Sequence, residues 1–66
     1  MQIQLNGERH DLDGQPTIHD LIATLGLAGR RIAVEVNEQI VPRSQHEATR
    51  LAEGDRVEVV HAIGGG

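Results

Sequence analysis

The chain has 66 residues, 38% of them hydrophobic, with no aromatic residue and no cysteine. That length supports one small domain, burying only about 60% of its unfolded surface, and the composition makes its core aliphatic. The cysteine and aromatic counts exclude a disulfide scaffold, a zinc ribbon, a cysteine nucleophile and a stacking platform for single-stranded nucleic acid, while the net charge of −4 disfavours phosphate backbones and anionic membranes. So small a core hardly walls off the roughly 300–1,000 Å³ that small-molecule chemistry needs, so a self-sufficient enzyme is not expected. The longest apolar runs, such as Leu21-Ile22-Ala23 and Ile32-Ala33-Val34, are too short for a membrane span or a signal-peptide core. The expected location is cytoplasmic.

Met1, Ile3 and Leu5 alternate with Gln2, Gln4 and Asn6, the period of a half-buried strand. Asn6-Gly7 supplies the positive φ angles of a two-residue hairpin turn, and Glu8 to Leu12 reads as the return strand, with His10 and Leu12 on one face. Asp13-Gly14-Gln15-Pro16 ends it. A helix then starts at Thr17, whose hydroxyl can cap the first turn while Asp20 reaches back to the Thr17 amide. Ile18, Leu21, Ile22 and Leu25 form one apolar stripe. Gly26 is placed to stop the helix in a left-handed conformation, with Leu27 folding back onto Ile22.

Ile32, Val34 and Val36 alternate with polar or small residues in a third strand. Ile40-Val41 continues as a short strand that Pro42 confines to an edge. Between Ser44 and Ala52 the pattern is ambiguous; Ser44 and Glu47 have capping-box spacing, which predicts one helical or 3₁₀ turn. Glu53-Gly54-Asp55 is a turn, and Arg56 to Ile63 is the last strand, with Val57 and Val59 facing the core. Hairpin, helix, strand, short strand, strand is the element order of a β-grasp, an α+β fold with one helix across one face of a mixed sheet. Residues 1–63 would form the domain and 64–66 a flexible glycine tail.

Four histidines, His10, His19, His46 and His61, raise the question of a metal site, but no two share a helical face and no cysteine assists them. Ser44 has no triad around it and reads better as a cap. Arg30, Arg31 and Arg43 read as solvated loop residues. Gly64-Gly65-Gly66 is open to two readings: a frayed terminus, or a reactive main-chain carboxylate. For the second, glycines lack a Cβ and can thread a channel that excludes side chains. Four residues past Ala62 reach roughly 13–14 Å when extended.

The whole chain resembles the ThiS family, ubiquitin-like sulfur carriers of thiamine biosynthesis. The resemblance is carried by Met1-Gln2-Ile3, Asn6-Gly7, the helix start Thr17 to Ile22, and Ala33 to Arg43. Leu51 to Val60 and the terminal Gly65-Gly66 complete it. The combination Asn-x-x-Ile-Val-Pro-Arg with a terminal diglycine is the most discriminating. Three glycines stand where a pair is the usual minimum. The resemblance implies that the chain binds no cofactor itself. A partner similar to ubiquitin-activating enzymes would use ATP and Mg to adenylate the Gly66 carboxylate. A persulfide donor would convert the adenylate to a thiocarboxylate, and thiazole synthase would take the sulfur for the thiazole ring of thiamine. On that reading Gly66 is the modified residue, Gly65 and Gly64 give it access, and no side chain is catalytic.

Strand parity adds a partner-face candidate. With Val57 and Val59 inward, Glu58, Val60 and Ala62 face away from the helix. In a β-grasp Val60 should then neighbour Ala33 or Glu35 on one side and Gln2 or Gln4 on the other, an apolar spot rimmed by Glu35 and Glu58. Two alternatives share the tail: the small subunit of molybdopterin synthase, which usually carries aromatic-proline residues before its diglycine where Val60 to Ile63 stands here, and a ubiquitin-like protein modifier. The chain has no lysine that could capture its own activated end.

Overall fold

The computed structural model describes residues 1–61; Ala62, Ile63 and the Gly64–Gly66 tail lie outside the described residues. Its elements are β1 (Gln2–Leu5), β2 (Glu8–Asp11), α1 (Ile18–Thr24), β3 (Ile32–Val36), β4 (Gln39–Val41), the 3₁₀ turn Arg43–Gln45, and β5 (Arg56–His61). They build a five-stranded sheet in the order β2-β1-β5-β3-β4. β5 runs parallel to β1 and antiparallel to β3. This is the β-grasp that the element order predicts, with β4 at the edge ahead of Pro42.

Local chemistry accounts for the early elements. Asn6 and Gly7 take φ angles of 51° and 84°, which match the right-handed twist of the flanking strands. At the helix start the Asp20 amide donates to Thr17 Oγ1 at 3.1 Å, and the Thr17 amide donates to Asp20 Oδ2 at 3.0 Å. Those bonds, the backbone one first, hold the Asp20 pKa below its ordinary 3.8. At the other end Gly26 has φ 75°. Its amide donates to the Ala23 carbonyl and that of Leu27 to the Ile22 carbonyl, both at 3.0 Å, which is the Schellman pattern.

One face of the sheet and the helix enclose Ile3, Ile18, Leu21, Ile22, Val34, Leu51, Val57 and Val59. Leu51 stands in no helix or strand, yet only 1% of it is exposed. The backbone bond from its amide to the Pro16 carbonyl, 2.9 Å, keeps it there.

The 43–50 segment departs from the expected capping box. The 3₁₀ turn begins after Pro42, with no side-chain cap, and Ser44 lies inside it. A nonlocal demand shapes this segment. The first amides of α1 have no partner within the helix, and the Ile18 amide donates to the Thr49 carbonyl at 3.0 Å while that of His19 donates to the His46 carbonyl at 3.1 Å. His46 is buried, and its Nε2 lies 3.0 Å from the Val41 carbonyl, so this nitrogen carries the proton and donates. His46 therefore links the helix start to the edge strand.

Leu51→Ala should cost about 2–5 kcal/mol, a large share of the roughly 3–10 kcal/mol expected for a chain of this length, measurable by urea unfolding. Because the Asp20 pKa is lower folded than unfolded, its carboxylate stabilises the fold above pH 3.8 and that contribution is lost as pH falls through the folded value. The stability gap between wild type and Asp20→Asn should accordingly be full at neutral pH and shrink below pH 3.8. An unchanged gap in acid melts would contradict it.

Candidate functional site

The expected reactive end emerges from β5, so the site is built from what holds that strand and what flanks it. On one side β5 pairs with β3 along its length, from Val57 opposite Val36 to His61 opposite Ile32. On the other, strand pairing with β1 is short: Gln4 lies opposite Arg56 and Leu5 opposite Val57. Two turn asparagines extend the hold. Asn6 Nδ2 donates to the Val59 carbonyl at 3.3 Å, and the Val59 amide donates to Asn6 Oδ1 at 2.9 Å. At the start of β5 the Arg56 amide donates to Asn37 Oδ1 at 3.0 Å, and Asn37 Nδ2 donates to Asp55 Oδ1 at 3.0 Å. Both asparagines have φ 51°, a left-handed conformation that asparagine tolerates. The Asn6-Gly7 pair predicts a turn and gives no sign of the contact of Asn6 with β5.

The sheet face away from the helix carries the partner-face candidates. Glu35 stands opposite both Glu58 on β5 and Ile40 on β4, and Val60 stands opposite Ala33. Val60 is 56% exposed and Ile40 72%, the large exposed hydrophobic residues among those described. The expected neighbours of Val60 are thus right on the β3 side and wrong on the β1 side. β1 ends at Leu5, and Gln4 sits four residues back along β5, beside Arg56. Ile40 was not expected on this face, although its alternation with inward Val41 carries that signal. Ala62 lies outside the described residues, as do Gly64, Gly65 and Gly66.

Glu35 and Glu58 are like charges placed directly across a strand pair, which disfavours the fold. Among the described residues no three His, Asp or Glu side chains gather as a metal-ligand set, and no helix is long and apolar enough to cross a membrane.

Comparison with known proteins assigns the family. The ThiS family profile matches residues 3–66. The chain belongs to the ThiS family. It is 34% identical to the sulfur carrier protein ThiS of Bacillus subtilis, with 97% of this chain and 98% of that one covered. With its Escherichia coli counterpart it shares 32%, over all of both chains. The crystal structure of a thiamine biosynthesis protein (ThiS) from Geobacter metallireducens superposes with a TM-score of 0.87 at 30% identity, again over all of both chains. A thiazole synthase of Magnetococcus marinus is 46% identical over all of this chain, which spans 20% of that protein's length. The same share holds for a thiazole synthase of Paramagnetospirillum magneticum at 38%.

If the Glu35–Glu58 pair is a cost to the domain, Glu58→Gln should stabilise it at neutral pH by about 0.2–1 kcal/mol, and added salt should diminish the gain. Denaturant melts at two salt concentrations measure this; a destabilised Glu58→Gln would contradict it.

Proposed function

We propose that this ThiS-family chain is a sulfur carrier for thiamine biosynthesis whose working group is the main-chain carboxylate of Gly66. The observation that carries the reading is the match, over essentially the full length of both partners, to proteins named as ThiS sulfur carriers. The terminal Gly64-Gly65-Gly66 supplies the chemistry. A partner similar to ubiquitin-activating enzymes uses Mg·ATP to join the Gly66 carboxylate to AMP, releasing pyrophosphate. AMP is a far better leaving group than oxide. The terminal sulfur of a persulfide attacks the acyl carbon and AMP departs; a second thiol reduces the resulting acyl disulfide and leaves the thiocarboxylate. Thiazole synthase then accepts that sulfur. The thiazole synthases that contain a matching 66-residue stretch support this acceptor over a molybdopterin-forming one. The protein is then a substrate of enzymes, acts in the cytoplasm, and needs no bound metal or cofactor of its own.

The open sheet face is the docking surface for the activating partner. Val60 and Ile40 give it an exposed apolar contact, with Ala33 between strands and Glu35 and Glu58 alongside. A like-charge pair that weakens the free domain is offset when a cationic partner surface covers it.

ATP–pyrophosphate exchange with the activating enzyme tests both parts. Deleting Gly64–Gly66 should abolish exchange, and Val60→Arg should lower kcat/KM about tenfold or more with an unchanged melt, since burying an unpaired charge in an apolar contact costs over 1 kcal/mol. Exchange that survives loss of the glycine tail would overturn the carrier reading; a folded Val60→Arg that exchanges normally would remove only the docking face.

A further inference from the structure

We propose that Arg30, Arg31 and Arg43 form a basic docking edge that pairs with a carboxylate-rich rim on the enzyme that takes in the tail for activation. This rests on the carrier reading and adds a second contact, distinct from the open sheet face. The three residues lie at the end of the sheet from which β5 departs. His61, the last described residue of β5, lies opposite Ile32, and Arg31 directly precedes Ile32. Arg43 follows β4 by two residues, just past the Val41–Val34 pair. Its Nη2 donates to the Arg30 carbonyl at 2.7 Å, which ties the two loops together. The Arg30 amide in turn donates to the Leu27 carbonyl at 3.0 Å, anchoring the loop to the helix end.

The charge arrangement is unusual for this chain. It holds ten carboxylate side chains against six arginines. Among the described residues the one arginine–carboxylate contact is Arg56 with Glu38, at 4.0 Å. Arg30, Arg31 and Arg43 are all exposed and have no described carboxylate side chain in ion-pair range. The groove of about 270 Å³ between the helix end and the 43–47 segment is lined by His19, Arg30, Arg43 and His46, with Glu47 its single carboxylate. Grouping cations without internal partners costs the free domain some repulsion, which an acidic partner surface removes. A polyanion such as RNA fits poorly, because three arginines make few phosphate contacts and the chain as a whole carries −4. Rim charges of this kind act mainly on the rate of encounter and on orientation, placing the tail at the cleft mouth.

The test compares Arg30→Glu and Arg31→Glu with Arg50→Glu. All three change the charge equally, and Arg50 lies outside this edge, bridged to Thr17 with its Nη1 donating to the Gln15 carbonyl at 2.8 Å. Arg43 is left in place because it supports the loop. Activation of each folded variant is followed at limiting carrier concentration, at low and at raised salt. Arg30→Glu and Arg31→Glu should each lower kcat/KM about tenfold at low salt, with kcat unchanged and with weaker salt dependence than wild type. Arg50→Glu should stay within about twofold of wild type. Neutral Arg30→Gln and Arg31→Gln should fall between, which guards against a reversal that disturbs the loop. If wild type is activated and the reversed variants match Arg50→Glu, the docking edge is wrong while the carrier reading stands. Tighter binding of wild type to single-stranded RNA than to the activating enzyme at the same salt would also overturn it. A wild type that is not activated at all sinks both.

Discussion

The domain depends on β5 taking its place between β1 and β3, because no other segment can join the two halves of the sheet. The amino-terminal hairpin and the β3-β4 pair each form from neighbours in sequence, but they share no strand edge until the carboxy-terminal segment enters. Pairing with β1 spans more than fifty residues of chain and covers only two residue pairs. The side chain of Asn6 supplies what that short ladder lacks, bonding both main-chain groups of Val59. On the β3 side Asn37 holds the start of the strand, its Oδ1 accepting from the Arg56 amide. The segment that leads to Gly66 is therefore framed on both sides by strands and by two asparagine side chains.

That arrangement suits the proposed function, in which the reactive group is the end of the main chain. Val57 and Val59 are locked into the core, while Glu58 and Val60 are turned outward on the same strand. One strand thereby serves both packing and presentation. The open face shows the cost of presentation, with Glu35 set against Glu58 and two large aliphatic side chains in water. Absence of cysteine fits the proposed chemistry, in which the sulfur would be carried on the terminal carbonyl carbon with no side-chain thiol needed. In the same proposal the absence of lysine leaves no side-chain amine to intercept an activated end.

What could be read from the sequence follows from the range of each interaction. The Asn6-Gly7 hairpin, the Thr17–Asp20 capping box and the Gly26 stop are decided within six residues of chain, and each stands as expected. Strand faces follow from period-two alternation, so Val57, Val59 and Val60 were assigned correctly. Register does not follow from parity, which is why Gln4 is found beside Arg56 and not beside Val60. The 3₁₀ turn expected from the Ser44–Glu47 spacing is present at Arg43–Gln45, but without the side-chain cap, and the carbonyls after it accept from unsatisfied amides at the start of α1, in a distant part of the chain. His46 carried no sequence signal for the same reason. The family follows from the resemblance, while the proposed chemistry rests on the glycine tail, as no arrangement of side chains encodes it.

In the proposed function, sulfur becomes bonded to the carbonyl carbon of Gly66. Fragmentation mass spectrometry of the intact protein, after reaction with activating enzyme, Mg·ATP and a persulfide donor, tests this. The expected result is a mass gain equal to exchange of one oxygen for sulfur, confined to fragments that contain Gly66. A gain that maps to any fragment lacking Gly66, or no gain with an enzyme shown to be active on another carrier, would contradict it.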